Sequence, residues 1–184
     1  MGEIETDTGW LEGVRRVASP NCDERPAGST LELLVVHGIS LPPGQFGGSA
    51  IDQLFSNRLV AQEHPYFREI IDLRVSSHVV ISRQGEPTQY VPFDKRAWHA
   101  GESRYCGRAE CNDFSVGIEL EGADDSPYEH VQYERLAELV RILRRAYPSL
   151  RDAEIVGHSD IAPGRKTDPG ASFDWELLGR LLES

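Results

Sequence analysis

The chain has 184 residues, 39% of them hydrophobic and 27% charged, which suits a soluble globular domain long enough to bury a core without disulfide staples. Its formal net charge of −11 argues against nucleic-acid binding as the main task. Cys22, Cys106 and Cys111 are odd in number and form no C-x-x-C pair, so they suggest neither a disulfide framework nor a zinc ribbon, and no apolar stretch reaches the ~20 residues of a membrane span.

The first ten residues, MGEIETDTGW, are acidic and carry neither the basic nor the apolar region of a secretory leader, so a cytoplasmic protein is expected. Residues 1–30 hold few large apolar side chains and read as an arm packed on the body of one domain spanning 1–184. LELLVV (Leu31–Val36) is a bulky apolar run, predicting a buried strand that ends on His37. Pro42, Pro43, Gly44, Gly47 and Gly48 make the next stretch a loop. Ile51, Leu54, Phe55 and Leu59 then recur at helical spacing.

Val75–Val91 reads as a hairpin, with RQGE supplying the turn. FSVGIELEG alternates strictly, setting Val116, Ile118 and Leu120 on one side of a strand and Ser115, Gly117, Glu119 and Glu121 on the other. A helix is expected from Pro127, with Ser126 as its N-cap, running through Tyr133, Leu136, Ala137, Val140 and Leu143 to a stop at Pro148. AEIVG is a further strand that ends on His158, and a last helix covers Asp174–Leu182. The pattern is that of an α/β domain.

His37 and His158 both stand where a buried strand opens into a loop, the usual place for a site in an α/β sheet. Asp168 follows in GHSDIAPGRKTDPG, whose Pro and Gly residues can fold it back toward His158. Two histidines and a carboxylate form a zinc ligand set with one position left open. The same histidines also read as strand-end residues hydrogen-bonded within the fold, since no H-E-x-x-H pattern is present. Glu119, beside Gly117 on the polar side of its strand, reads either as a general base or as a solvated carboxylate.

PPGQFGG, VPFDKRAWHAG, CNDFSVGIELEG and GHSDIAPGRKTDPG, in this order, closely resemble the zinc amidases of peptidoglycan recycling. The likeness runs from about Trp10 to Trp175 and extends, more weakly, to phage amidases and peptidoglycan recognition proteins. It implies a mixed central β-sheet flanked by helices on both faces. It also implies one zinc ion held by His37, His158 and Asp168, Glu119 as general base, and Lys166 as the cation that stabilises the transition state. Trp98, His99 and Ala100 match the segment that lines the family's substrate groove, and Arg74 a position that meets a stem-peptide carboxylate.

The implied reaction is zinc-dependent hydrolysis of the amide joining the lactyl group of 1,6-anhydro-N-acetylmuramic acid to L-alanine. The implied partner is an anhydro-muropeptide, with no nucleic acid and no membrane, and a monomer is expected. A broader amidase, or a non-catalytic peptidoglycan-binding module, are the alternatives. Two positions depart from the family pattern: Gly38 stands where Asn is expected, and Glu110 where a basic residue is expected.

Overall fold

The computed structural model describes residues 1–184. The chain begins with short strands β1 (Arg15–Arg16) and β2 (Cys22–Glu24), then β3 (Leu33–Ile39), α1 (Ala50–Phe55) and α2 (Phe67–Ile70). It continues through β4 (Val79–Ile81), β5 (Pro87–Gln89), β6 (Lys95–Ala97), β7 (Arg104–Tyr105), β8 (Arg108–Ala109) and β9 (Ser115–Glu121). The last elements are α3 (His130–Ala146), β10 (Glu154–Gly157), α4 (His158–Ile161) and α5 (Trp175–Glu183).

Six strands make one mixed sheet in the order β1-β5-β4-β9-β3-β10. Strands β10, β3, β9 and β4 are mutually parallel, β5 returns antiparallel to β4, and β1 joins β5 in parallel. Leu34, Val36, Val116, Ile118 and Leu120 point to one face, where Leu136, Val140 and Leu143 of α3 and Leu178 of α5 cover them. On the other face Val80 meets Leu54 and Phe55 of α1 and Phe67 and Ile70 of α2, while Leu33 and Val35 meet Ile161 of α4. Strands covered on both faces read as unbroken apolar runs, which is why LLVV carries no alternation. Each of these fully buried side chains contributes about 1.5–3 kcal/mol of transfer free energy, so β3 and β9 form a rigid floor.

The arm of residues 1–30 is tied to the body by backbone: β1 lies on the edge strand β5, and β2 pairs with β6. Leu11 sits fully inside the main core, and its N–H donates to Gln89 Oε1 at 2.7 Å.

Two elements differ from the sequence expectation. Helix α3 starts at His130, not near Pro127, because Gln132 Oε1 accepts from the Glu129 N–H at 2.9 Å and caps the helix there. Gln132 is buried and donates onward to Ile81 O and Glu121 O, while Tyr128 turns into the core, so the preceding residues cannot enter the helix. Helix α1 ends at Phe55, so Leu59 packs from the following loop. No helix is long and apolar enough to cross a membrane.

Candidate metal centre

The pairing of β3 with β9 sets His37 directly opposite Glu119, both on the face away from α3. On the other flank of β3, Gly157 of β10 pairs with Val36, so His158 emerges one residue later beside His37. His158 opens α4 and does not end the strand, as the sequence had suggested. The loop that follows is folded back by backbone bonds from Lys166 N to Ala162 O and from Ser159 N to Asp168 O, both 3.0 Å long. Tyr128 Oη donates to Pro169 O at 2.8 Å and anchors its far end.

These constraints bring three donor atoms together. His37 Nδ1 lies 3.0 Å from His158 Nδ1, and Asp168 Oδ2 lies 3.2 Å from the first and 3.1 Å from the second. Ligand atoms around a tetrahedral zinc, at bonds of about 2.0–2.1 Å, stand about 3.3 Å apart, so the triangle fits such an ion. His37 and His158 are buried and Asp168 is partly exposed, which leaves one side of the triangle open.

Electrostatics favour the ligand state. Burial lowers the His37 pKa to about 4 against the pull of Asp168, keeping the imidazole neutral. Burial would raise Asp168, but hydrogen bonds to His158 and His37 outweigh it and hold the carboxyl well below the usual carboxylate range. Glu119 goes the other way: burial and then the charge of Asp168 raise it well above its ordinary value, with Lys166 opposing. Its Oε2 is buried and has no hydrogen-bond partner.

A cavity of about 690 Å³ opens over the triangle. His37, His158, Asp168, Glu119 and the exposed Lys166 line it, and Leu41, Phe55, Tyr66 and Ile70 form an apolar wall.

The profile of the N-acetylmuramoyl-L-alanine amidase family matches residues 27–171. The chain belongs to this family. It is 59% identical over 169 residues to the 1,6-anhydro-N-acetylmuramyl-L-alanine amidase AmpD of Escherichia coli (strain K12), covering 92% of each chain. Among solved structures it is similar to a Se-Met AmpD derivative, with a TM-score of 0.92 at 55% identity over 96% of this chain and 98% of that one. It is also similar to the amidase AmiD from E. coli in complex with anhydro-N-acetylmuramic acid-L-Ala-D-gamma-Glu-L-Lys, with a TM-score of 0.57 at 27% identity over 86% of this chain and 60% of that one. The sheet flanked by helices on both faces is the fold of these amidases.

Within this amidase framework the remaining predicted residues are placed unevenly. His99 reaches the cavity, but both ring nitrogens are engaged inside the protein, by His37 and by Ser115. Ala100 is buried, and its carbonyl accepts from His158 Nε2 at 3.1 Å and from Arg165 at 2.6 Å. Both residues therefore contact the metal-ligand cluster. Trp98 donates its indole N–H to Asp23, and Arg74 folds onto the carbonyls of Ile71 and Leu73. Neither lines the cavity, so the expected substrate contacts at these two positions find no support in this geometry.

The departures also have physical readings. A Cβ at position 38 would run into Tyr128 Oη, so Gly38 is required by the tyrosine that anchors the Asp168 loop. Glu110 is exposed, in the left-handed region at φ 58°, and lies outside the cavity. Sequence reasoning missed Tyr128, Ser115 and Asn112, whose Oδ1 accepts from the N–H groups of His99 and Ala100. Their roles lie in contacts with loops remote in sequence, and no local pattern signals them.

Proposed function

We propose that the chain hydrolyses the amide between the lactyl group of 1,6-anhydro-N-acetylmuramic acid and L-alanine of the stem peptide, as one zinc-dependent enzyme of peptidoglycan recycling. The observation that carries this reading is the convergence of His37 Nδ1, His158 Nδ1 and Asp168 Oδ2 beside the unpartnered, buried carboxyl of Glu119. The names of the relatives and the anhydro-muropeptide in the AmiD complex support the substrate. A cytoplasmic monomer is part of the same proposal, and the three free cysteines support a reducing compartment.

His37, His158 and Asp168 would hold the ion, two neutral donors and one anion leaving a net positive centre. When bound, zinc supplies Lewis acidity that polarises an amide carbonyl and acidifies water toward neutral pH. Glu119, whose buried Oε2 is unpartnered beside the ligand triangle, is poised to take a proton there and to return it to the leaving amine. Lys166 at the cavity rim supplies a positive charge to the oxygen on which negative charge grows. The apolar wall lowers the local dielectric and strengthens both effects.

The test is cleavage of anhydro-muramyl-tripeptide beside its non-anhydro counterpart, with and without a chelator. Chelator-sensitive release of peptide from the anhydro form alone is expected. Equal cleavage of both would make the enzyme a broad cell-wall amidase. No cleavage by zinc-loaded protein would leave a binding module.

A further inference from the structure

A neutral imidazole carries one N–H and one bare nitrogen, so a histidine can ligate through Nδ1 only when its ring proton sits on Nε2. A run of hydrogen bonds leading away from the site decides where that proton sits on His37. It starts at the carbonyl of Cys111, which can only accept. Ser115 Oγ lies 2.6 Å from that oxygen, so its single proton is directed there. Toward His99 Nε2, at 3.1 Å, Ser115 is left only as an acceptor, which places the His99 proton on Nε2. His99 Nδ1 is then bare and faces His37 Nε2 at 2.9 Å. His37 must donate from Nε2, and its Nδ1 is freed toward His158 and Asp168.

We propose that His99, set by the Ser115 hydroxyl and the Cys111 carbonyl, is a positioning residue that fixes the ring proton of His37 and so presents Nδ1 to the metal. This rests on the zinc reading given above. His158 reaches the same state by a shorter route, through its Nε2 on the Ala100 carbonyl.

The surroundings hold the relay in register. Ser115, Gly117 and Glu119 share one face of β9, so the relay lies along the strand that also carries the carboxylate. Gly117 makes room for the imidazole, since a Cβ there would stand 2.6 Å from His99 Nδ1. Asn112 Oδ1 holds the backbone of His99 and Ala100 at 3.1 and 2.8 Å. The rings of His37 and His99 meet edge to face, with 85° between their planes. The opposite arrangement, with Ser115 donating to His99, would leave two buried oxygens 2.6 Å apart with no proton between them.

The test uses long-range ¹H–¹⁵N spectra of the histidine rings, in zinc-loaded and in metal-free protein, together with zinc affinity by chelator competition. The expected result is a proton on Nε2 of His99 and of His37. Ser115→Ala should loosen zinc by about 10–100-fold, and Ser115→Thr, which keeps the hydroxyl, should restore it. A His99 proton on Nδ1, or a Ser115→Ala variant that binds zinc as tightly as the parent, overturns the proposal. Should Ser115→Ala not fold, the parent spectrum decides. If the parent binds no zinc, the metal reading fails, and the metal-free spectrum still judges the relay.

Discussion

At Glu119 a carboxyl group is largely buried and no donor meets one of its oxygens. Burial raises its folded pKa above the 4.5 of the free side chain, so the native chain keeps a proton that the unfolded chain has released. Stability therefore falls as pH rises above 4.5, until the folded group also ionises. Glu119→Gln removes this dependence. In chelator-treated protein its Tm should match the parent at about pH 5 and exceed it at about pH 7.5, the gap widening with pH. A gap that does not widen with pH would contradict the assigned environment. The same variant should bind zinc and lose about 10²–10⁴-fold in kcat. Lys166, exposed at the rim, should behave differently from the ligands. Lys166→Ala is expected to keep zinc and lose about 10²–10³-fold in kcat, read by metal analysis beside kinetics. Asp168→Ala should come out metal-free. A metal-free Lys166→Ala would end the role given to that lysine.

The end of β3 and the loop after β10 are joined through Tyr128, and here the informative unit is the element. Tyr128 Oη occupies the space a side chain at position 38 would need, and in return it holds Pro169 O. Gly38→Ala should cost about 1–3 kcal/mol through overpacking. Tyr128→Phe should cost about 0.5–1.5 kcal/mol through the lost hydrogen bond. Because the phenol oxygen alone makes the close approach, the double variant should be less destabilised than the sum of the two. Urea denaturation of the four proteins gives the coupling, and strict additivity would show that the two positions do not compete for space. Zinc affinity should fall in Tyr128→Phe as well, since the Asp168 loop loses its tether.

Across the whole molecule, the three donors come from parts of the chain that meet only when the sheet is complete: His37 from β3, His158 from the start of α4 and Asp168 from the loop beyond it. An ion held by all three binds the folded chain and not the unfolded one, so it stabilises by linkage. At a free zinc concentration about 100-fold above Kd the gain is about 2.7 kcal/mol. A chelator should therefore lower Tm by roughly 5–10 °C in the parent. It should leave Asp168→Ala unmoved. A parent Tm indifferent to chelator would argue against the zinc centre.

The sequence by itself determined the strands that carry the site, because runs such as LLVV and the strict alternation of SVGIELE report burial directly. It also set His37, His158, Asp168, Glu119 and Lys166 apart through ordered motifs that resemble the amidases. Only the tertiary structure decided what covers each face. Alternation shows that Ser115, Gly117, Glu119 and Glu121 share a side of β9, but not that this side is buried as fully as the other. The start of α3 was set by Gln132 reaching across to Ile81 and Glu121, which no local pattern reveals. The inward turn of His99 and the outward turn of Trp98 depend on partners far away in the chain, whereas Arg74 folds onto the carbonyls of its own neighbours. Periodicity is local, fixed by backbone geometry, whereas a side chain's partner depends on which loops the sheet brings together.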